Sequence, residues 1–302
     1  MNTRYYSNGK LLLTAEYGVL DGALALAVPT KFGQSLEVGT SNTSLLQWQS
    51  LDENGEIWFS ATFDAHSFTT KSSTDRSLSG TLENILMKAK ELNPKFNEKG
   101  YGYRLTSKLT FPRNWGLGSS STLINNIAQW ARVDPYKLLN TTFGGSGYDI
   151  ACAQCNTPIF YQLIKGKPIV RSTTLDLAFK EHLYFVFLNK KQNSREAISN
   201  YRKQHFNKTS LVAELTNLTK RIPLTTGLDD FESLLSTHEA LLSRVLGIQP
   251  VKAKMFPDYF GTLKSLGGWG GDFILATGNQ KTPDYFKAKG FDVVIPYADM
   301  VL

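Results

Sequence analysis

Residues 112–121 read Pro-Arg-Asn-Trp-Gly-Leu-Gly-Ser-Ser-Ser, a string whose residue types suit phosphate binding. The alternating segment 101–111 before it predicts a strand that stops at Pro112, and the apolar periodicity after it predicts a helix through about Trp130. Gly116 and Gly118, on either side of Leu117, let the backbone approach a ligand closely and adopt positive φ. The start of a helix presents unpaired N–H groups and the positive end of the helix dipole, which together attract phosphate. The hydroxyls of Ser119, Ser120 and Ser121 could cap the helix, bind a phosphate oxygen or ligate Mg²⁺. No Gly-Lys-Ser/Thr is present, which excludes a Walker loop. The near match to a dinucleotide fingerprint lies past residue 100, and Asp134 is a poor fit for its acid. On the string alone, a phosphate loop and a plain serine-capped helix both stand.

Cys152-Ala-Gln-Cys155 has the spacing of a redox pair or of half a zinc site. No second cysteine pair completes four ligands, and His66, His182, His205 and His238 are scattered. The string falls in an apolar stretch that reads as helix, so the two thiols are expected to be packing residues.

The elements that must carry these strings change character along the chain. Runs at 11–14, 23–28, 34–38 and 57–63 read as strands, residues 65–78 as a Ser/Thr-rich loop, and 81–92 as a helix with Leu82, Ile85, Leu86 and Ala89 on one face. A strand at 159–163 precedes a Gly-Lys-Pro turn, and 182–188 reads as a buried strand. Residues 194–260 are largely helical, with breaks at Pro223, Gly227 and 247–250. A glycine-rich loop at 267–271 then runs into strand 273–276, and a short helix and a strand at 291–295 finish the chain. Strands early and helices late predict an α+β protein, with a soft boundary near 165–180.

The 302 residues are 41% hydrophobic and 20% charged, which excludes disordered and fibrous classes. No signal-like N-terminus and no long apolar run is present, so a cytoplasmic protein without a membrane partner is expected, and the Asn-X-Thr strings at Asn140, Asn207 and Asn217 are chance matches. The net charge of +7 suits an anionic ligand. The cations form no stripe and no reading motif, so nucleic acid is not an expected partner.

Four strings together resemble the GHMP kinases, which phosphorylate galactose, homoserine, mevalonate and phosphomevalonate. Residues 9–27 begin Gly-Lys-Leu-Leu-Leu-Thr-Ala-Glu-Tyr-Gly-Val and resemble the family's opening segment, with Ala15 at a usual glycine. Residues 112–121 resemble its phosphate loop, with Asn114 at an earlier glycine. Residues 144–151, Gly-Gly-Ser-Gly-Tyr-Asp-Ile-Ala, resemble the string that carries the catalytic aspartate and match the signature of a bacterial subgroup. Residues 266–273, Leu-Gly-Gly-Trp-Gly-Gly-Asp-Phe, resemble the third loop of phosphomevalonate kinases, with Trp269 as a departure. The matches span residues 9 to 273.

This resemblance implies a two-domain α+β fold: an N-terminal half like ribosomal protein S5 domain 2 at residues 1–170, with the phosphate loop and catalytic aspartate, and a ferredoxin-like C-terminal half at 171–302. ATP and a small acidic substrate would lie between them, in a monomer or homodimer. It implies that Gly116, Leu117, Gly118, Ser119, Ser120 and Ser121 hold ATP phosphates, that Ser120 ligates Mg²⁺, and that Asp149 takes or orients the acceptor proton beside Lys10. Asp149 could instead cap the helix entered through Gly147. Glu16, Ser146, Ser194, Arg195, Gly268, Gly270 and Asp272 are the implied substrate residues, although Glu16 could be an exposed or Lys10-paired carboxylate and Ser194 an N-cap. Mevalonate kinases carry a second magnesium carboxylate between loop and aspartate. Here the only acid in that interval is Asp134, beside Pro135 in an expected turn. Its absence and Asp272 put phosphomevalonate ahead of mevalonate as acceptor. Diphosphomevalonate decarboxylase, a sugar or homoserine kinase, and an S5-like nucleic-acid-binding protein are the alternatives.

Overall fold

The computed structural model describes residues 2–192 and 194–302, apart from the side chains of Ser194 and Arg195. The architecture is α+β, as the order of the patterns predicts. Two compact units divide the chain: Met1–Gly9, Phe32–Arg113 and Leu117–Gln154 form the first, and Lys10–Lys31, Asn114–Gly116 and Cys155–Leu302 form the second.

In the first unit a mixed sheet runs in the order Thr70–Ser73, Ile57–Asp64, Leu45–Leu51, Gly102–Leu109 and the later part of Ala25–Ser41. Period-two alternation sets its two faces: Phe59, Ala61 and Phe63 are buried, while Ser60 and Thr62 point the other way. The buried face joins Leu82, Ile85 and Leu86 of helix Arg76–Leu92 and Ile124 and Ile127 of helix Ser119–Ala131 in one apolar core. The opposite face is polar and carries a shallow cleft of about 650 Å³ lined by residues such as Gln47, Gln49, Thr62 and Arg104. None of the glycine-loop residues lines that cleft.

Two expectations shift in this unit. The Ser/Thr-rich stretch expected as a loop contains the edge strand Thr70–Ser73, which has no apolar alternation and is held through its backbone pairing to Ile57–Asp64. Glu83 reinforces it, accepting from Thr70 N at 2.8 Å and from Thr70 Oγ1 at 2.7 Å. The following helix starts at Arg76 rather than 81, because the Asp75 carboxylate accepts from Ser77 N at 2.9 Å and Leu78 N at 3.0 Å. Asp134 is likewise more than a turn residue. It caps helix Pro135–Thr142, accepting from Tyr136 N at 2.8 Å, with proline in the first turn where its missing N–H costs nothing.

The second unit contains an antiparallel four-stranded sheet in the order Leu263–Ser265, Phe273–Thr277, Leu183–Phe187 and Val294–Pro296. Every residue of Leu183–Phe187 and of Phe273–Thr277 is buried, which explains why both read as unbroken apolar runs. A hairpin of Ile159–Ile164 and Lys167–Ser172 pairs with Ala25–Ala27. Its turn is Lys165–Gly166, both at positive φ (50° and 73°), not the expected Gly-Lys-Pro. Two successive positive-φ residues match the twist of paired strands, and Pro168 sits in the edge strand where no ladder donor is needed. Helices Ser194–Arg202, Lys208–Arg221 and Leu228–Leu246 fill the expected helical stretch, the last ending at Gly247 in the left-handed conformation. Among the described residues no helix is long and apolar enough to cross a membrane.

Candidate active site

The phosphate-loop string folds as a turn into a helix, and glycine rather than serine begins the helix. Gly118, at φ 90°, is the N-cap of helix Ser119–Ala131, and no side chain caps it. The plain serine-capped helix is therefore not what forms. A helix of 13 residues thus opens with N–H groups that no side-chain cap satisfies, and Leu117, wholly buried, anchors the turn before it. Ser120 is exposed, Ser119 and Ser121 are half-buried, and among the described residues their hydroxyls make no hydrogen bond within the chain. N–H groups without a side-chain cap, a positive helix end and three hydroxyls are features that suit an anion.

Asp149 lies in the first turn of helix Tyr148–Gln154, half-buried, with Gly147 at φ 86° before it. It is the second helical residue, so it does not hold the N-cap position. Ser146 is half-buried just before this helix.

In the second unit Lys10, Gly116 and Asp272 come together. Lys10 Nζ donates to the Gly116 carbonyl at 3.2 Å. Gly116 holds φ at 69°, and a Cβ there would stand 2.4 Å from Asp272 Oδ1. Asp272 Oδ1 accepts from Gln192 N at 3.1 Å, and its backbone is pinned between Lys190 O (2.6 Å) and Leu188 N (2.8 Å). Burial pushes the Asp272 carboxyl above the usual carboxylate range, while Lys10, the Gln192 N–H and Lys191 pull it back.

Four residues in and next to the third glycine loop are at positive φ: Gly267 61°, Trp269 53°, Gly270 80° and Asp272 54°. Trp269 takes a conformation that costs a side-chain-bearing residue about 1–2 kcal/mol, and it is kept there by a ring that is 2% exposed. Gly268 is hemmed in, since a Cβ would meet Gln192 Cγ at 2.7 Å. Its carbonyl accepts from the Tyr17 hydroxyl at 2.7 Å, and Tyr17 stacks on Tyr201 with ring centroids 5.2 Å apart. Burial, then the charges of Glu16 and Asp272, push the Tyr17 hydroxyl well up, so it stays a donor. Trp115 meets Phe273 edge-on at 5.4 Å.

Glu16 departs from both polar expectations: it is neither exposed nor paired with Lys10. Its carboxylate is 1% exposed and accepts from Lys264 Nζ at 2.5 Å. Burial raises the Glu16 carboxyl, and the Lys264 charge and hydrogen bond oppose it. Beside them His238, driven well down by burial and by Lys264, is neutral and accepts from Ala15 N at Nε2 over 2.8 Å. That bond helps hold Ala15 at φ 62°, in the left-handed region that favours glycine. The Glu16 carboxylate is thus buried against Lys264 and His238. Tyr17, Lys264 and His238 were not legible as partners of this region, because 223 to 251 residues separate the bonded groups.

Ser194 and Arg195 begin helix Ser194–Arg202, and their side chains lie outside the described residues. Cys152 and Cys155 are free thiols, the first buried and the second half-buried. Among the described residues no group of three or more His, Cys, Asp or Glu could hold a metal ion.

No family model matches the sequence, and no curated protein matches it. Solved structures do, and the fold they share with this chain is the GHMP kinase fold. The Methanococcus jannaschii mevalonate kinase is 15% identical, with a TM-score of 0.70, over 98% of this chain and 97% of that one. The Streptococcus pneumoniae phosphomevalonate kinase, in complex with phosphomevalonate and AMPPNP, is 14% identical, with a TM-score of 0.67, over 99% and 98%. The Lactococcus lactis galactokinase complexed with galactose is 13% identical, with a TM-score of 0.67, over 95% and 88%.

Proposed function

We propose that this chain is an ATP-dependent kinase that transfers the γ-phosphoryl group to a small acidic acceptor of the mevalonate pathway, with phosphomevalonate ahead of mevalonate. The observation that carries the reading is the uncapped helix N-terminus behind Gly118, with its N–H groups and the hydroxyls of Ser119, Ser120 and Ser121. The likeness in fold to kinases of mevalonate, phosphomevalonate and galactose supports it. Residues 116–121 hold the β- and γ-phosphates, and Lys10 balances charge on the transferred group. Asp149 accepts the proton of the acceptor hydroxyl as that oxygen attacks. Mg²⁺ suits the donors present: exposed Ser120 offers one hard oxygen, and phosphate and water oxygens complete a shell that magnesium prefers to keep hydrated. When bound, it would neutralise phosphate charge.

The resemblance of residues 266–273 to the third loop of phosphomevalonate kinases and the absence of an acid other than Asp134 between Ser121 and Tyr148 support a phosphorylated acceptor, and the Lys190–Lys191 pair suits the charge of about −1.5 to −2 that it adds at neutral pH. The Gly-Tyr-Asp-Ile-Ala string supports grouping the chain with the bacterial subgroup that bears that signature. ADP release measured with phosphomevalonate, mevalonate, galactose and homoserine tests the assignment. Saturable turnover of the mevalonate acids is expected. Turnover of galactose or homoserine alone would remove the acceptor and leave the kinase, whereas CO₂ release from diphosphomevalonate would replace it with a decarboxylase.

A further inference from the structure

A chain of buried polar side chains crosses the core of the first unit. Gln154 Nε2 donates to Asn125 Oδ1 at 2.9 Å, and Asn125 Nδ2 donates to Ser7 Oγ at 2.8 Å. Ser7 Oγ donates to Asn126 Oδ1 at 2.8 Å, and Asn126 Nδ2 donates to the Gln34 carbonyl at 2.9 Å. Ser7, Asn125 and Asn126 are at most 1% exposed. The last acceptor is a backbone carbonyl, which cannot donate. It therefore fixes which end of each amide faces which neighbour, and the whole chain has one sense.

Asn-Asn in the middle of a helix is an unfavourable choice twice over: asparagine is a poor helix former, and a buried amide left unpaired is costly. Apolar residues would fill the same layer more simply. What the amides add is specificity, since a directional network is satisfied in one register and broken in others. The elements it joins are the strand Asn2–Leu12, which carries Lys10 three residues beyond Ser7, the helix Ser119–Ala131 behind the phosphate loop, and the helix Tyr148–Gln154 that carries Asp149. On the Asp149 helix the bond from Gln154 is the anchor of that network.

We propose that Gln154 and Asn125 are positioning residues, which hold the Asp149 helix in register with the phosphate-loop helix through the Gln154–Asn125–Ser7–Asn126 chain. This inference rests on Asp149 being the proton acceptor. A helix of seven residues has little stability of its own, so its placement depends on such anchors. Gln154 is exposed apart from its amide bond, so substitutions there spare the core.

The test compares Gln154→Met, which removes the donor at constant length, with Gln154→Lys, which keeps a donor, using ATP with phosphomevalonate or mevalonate as acceptor. Gln154→Met is expected to lower kcat about 10-fold, as small misplacements of reacting groups do, with the ATP KM within about twofold. Gln154→Lys is expected to restore kcat. Hydrogen exchange on the free protein, which needs no acceptor, is expected to quicken at 148–154 in the Met variant and to stay unchanged at 119–131. Unchanged exchange at 148–154 would overturn the proposal, as would a Met variant with full kcat beside an inactive Asp149→Asn. A kcat loss matched by an equal rise in the ATP KM and a lower Tm would do the same by showing a merely structural role. Full activity in Asp149→Asn would remove the base assignment, and the positioning role with it.

Discussion

Asp272 stands where a side chain on Gly116 would have to go, its Oδ1 only 2.4 Å from the position of a Cβ. The third glycine loop and the first glycine of the phosphate-loop string are thus matched in shape, and Lys10 donates to the Gly116 carbonyl beside them. Gly116→Ala meets both this clash and a positive φ of 69°. It should lose stability by about 2–4 kcal/mol, the strain of a left-handed alanine plus displacement of the carboxylate. ATP affinity by calorimetry should fall with it. Removing the obstacle in Gly116→Ala/Asp272→Ala should recover part of the loss, and a denaturation double-mutant cycle would read the coupling. Strict additivity would mean that the two residues do not constrain each other.

The same carboxylate should leave a mark on stability against pH. Its folded-state pKa is raised, so the folded protein binds this proton more readily than the unfolded chain. The contribution to stability is then full below the unfolded value and is lost as pH rises through the folded one. Asp272→Asn abolishes that loss, so it should be at least as stable as the parent at neutral pH, with the difference changing in the parent's disfavour as pH rises through the carboxyl range. Thermal melts across pH 3–8, roughly the range that brackets carboxyl titration, check it. An Asn variant that is less stable than the parent throughout would show that the Lys10 and Gln192 contacts outweigh burial.

Asp149 is tested by charge removal at constant size. Asp149→Asn should lower kcat by about 10²–10⁴, the range for losing a positioned base. ATP affinity by calorimetry should remain, because the helix start behind Gly118 is untouched. Near-normal turnover would leave Asp149 as a helix residue only.

The thiols should be inert. Cys152 is buried, and burial raises the Cys155 thiol, so little thiolate forms at neutral pH. Cys152→Ala/Cys155→Ala should keep full activity, and the parent should respond equally with and without reductant. A redox-dependent rate would overturn the packing assignment.

What could be read from the sequence was local. The loop 116–121 announces itself by glycines followed by serines at a strand-to-helix junction, and the strands Leu183–Phe187 and Phe273–Thr277 by unbroken apolar runs. The start of helix Arg76–Leu92 was hidden because its cap, Asp75, lies inside a Ser/Thr-rich stretch that reads as loop. Strand Thr70–Ser73 was hidden because an edge strand held by backbone bonds needs no apolar pattern. Trp269 reads as a departure from a glycine motif, yet its backbone keeps the left-handed turn. The surroundings of Glu16 were hidden because its partner, Lys264, is 248 residues away in a short buried strand.

That pair gives the last prediction. Glu16 and Lys264 are each at most 1% exposed, and Lys264 Nζ reaches both Glu16 Oε1 and the Ser265 carbonyl, at 2.5 and 2.8 Å. Two charges removed from water are held chiefly by each other and by these bonds, with the buried Glu239 close enough to feel the Lys264 charge, so losing one partner largely strands the other. Lys264→Met leaves a buried carboxylate and Glu16→Leu a buried ammonium, and each should cost about 3–5 kcal/mol. Glu16→Leu/Lys264→Met leaves neither charge uncompensated, and its stability should come within about 2 kcal/mol of the parent despite two changes. Urea denaturation of the four proteins measures this. Activity supplies a second readout. Ala15 and Tyr17 flank Glu16 at positive φ, and Tyr17 ties this segment to the Gly268 carbonyl, so an apolar pair that folds well can still relax the turn. The double variant is therefore expected to regain stability but to lose turnover, which separates the pair's contribution to folding from its hold on the third loop. Recovery of both would assign it to folding alone.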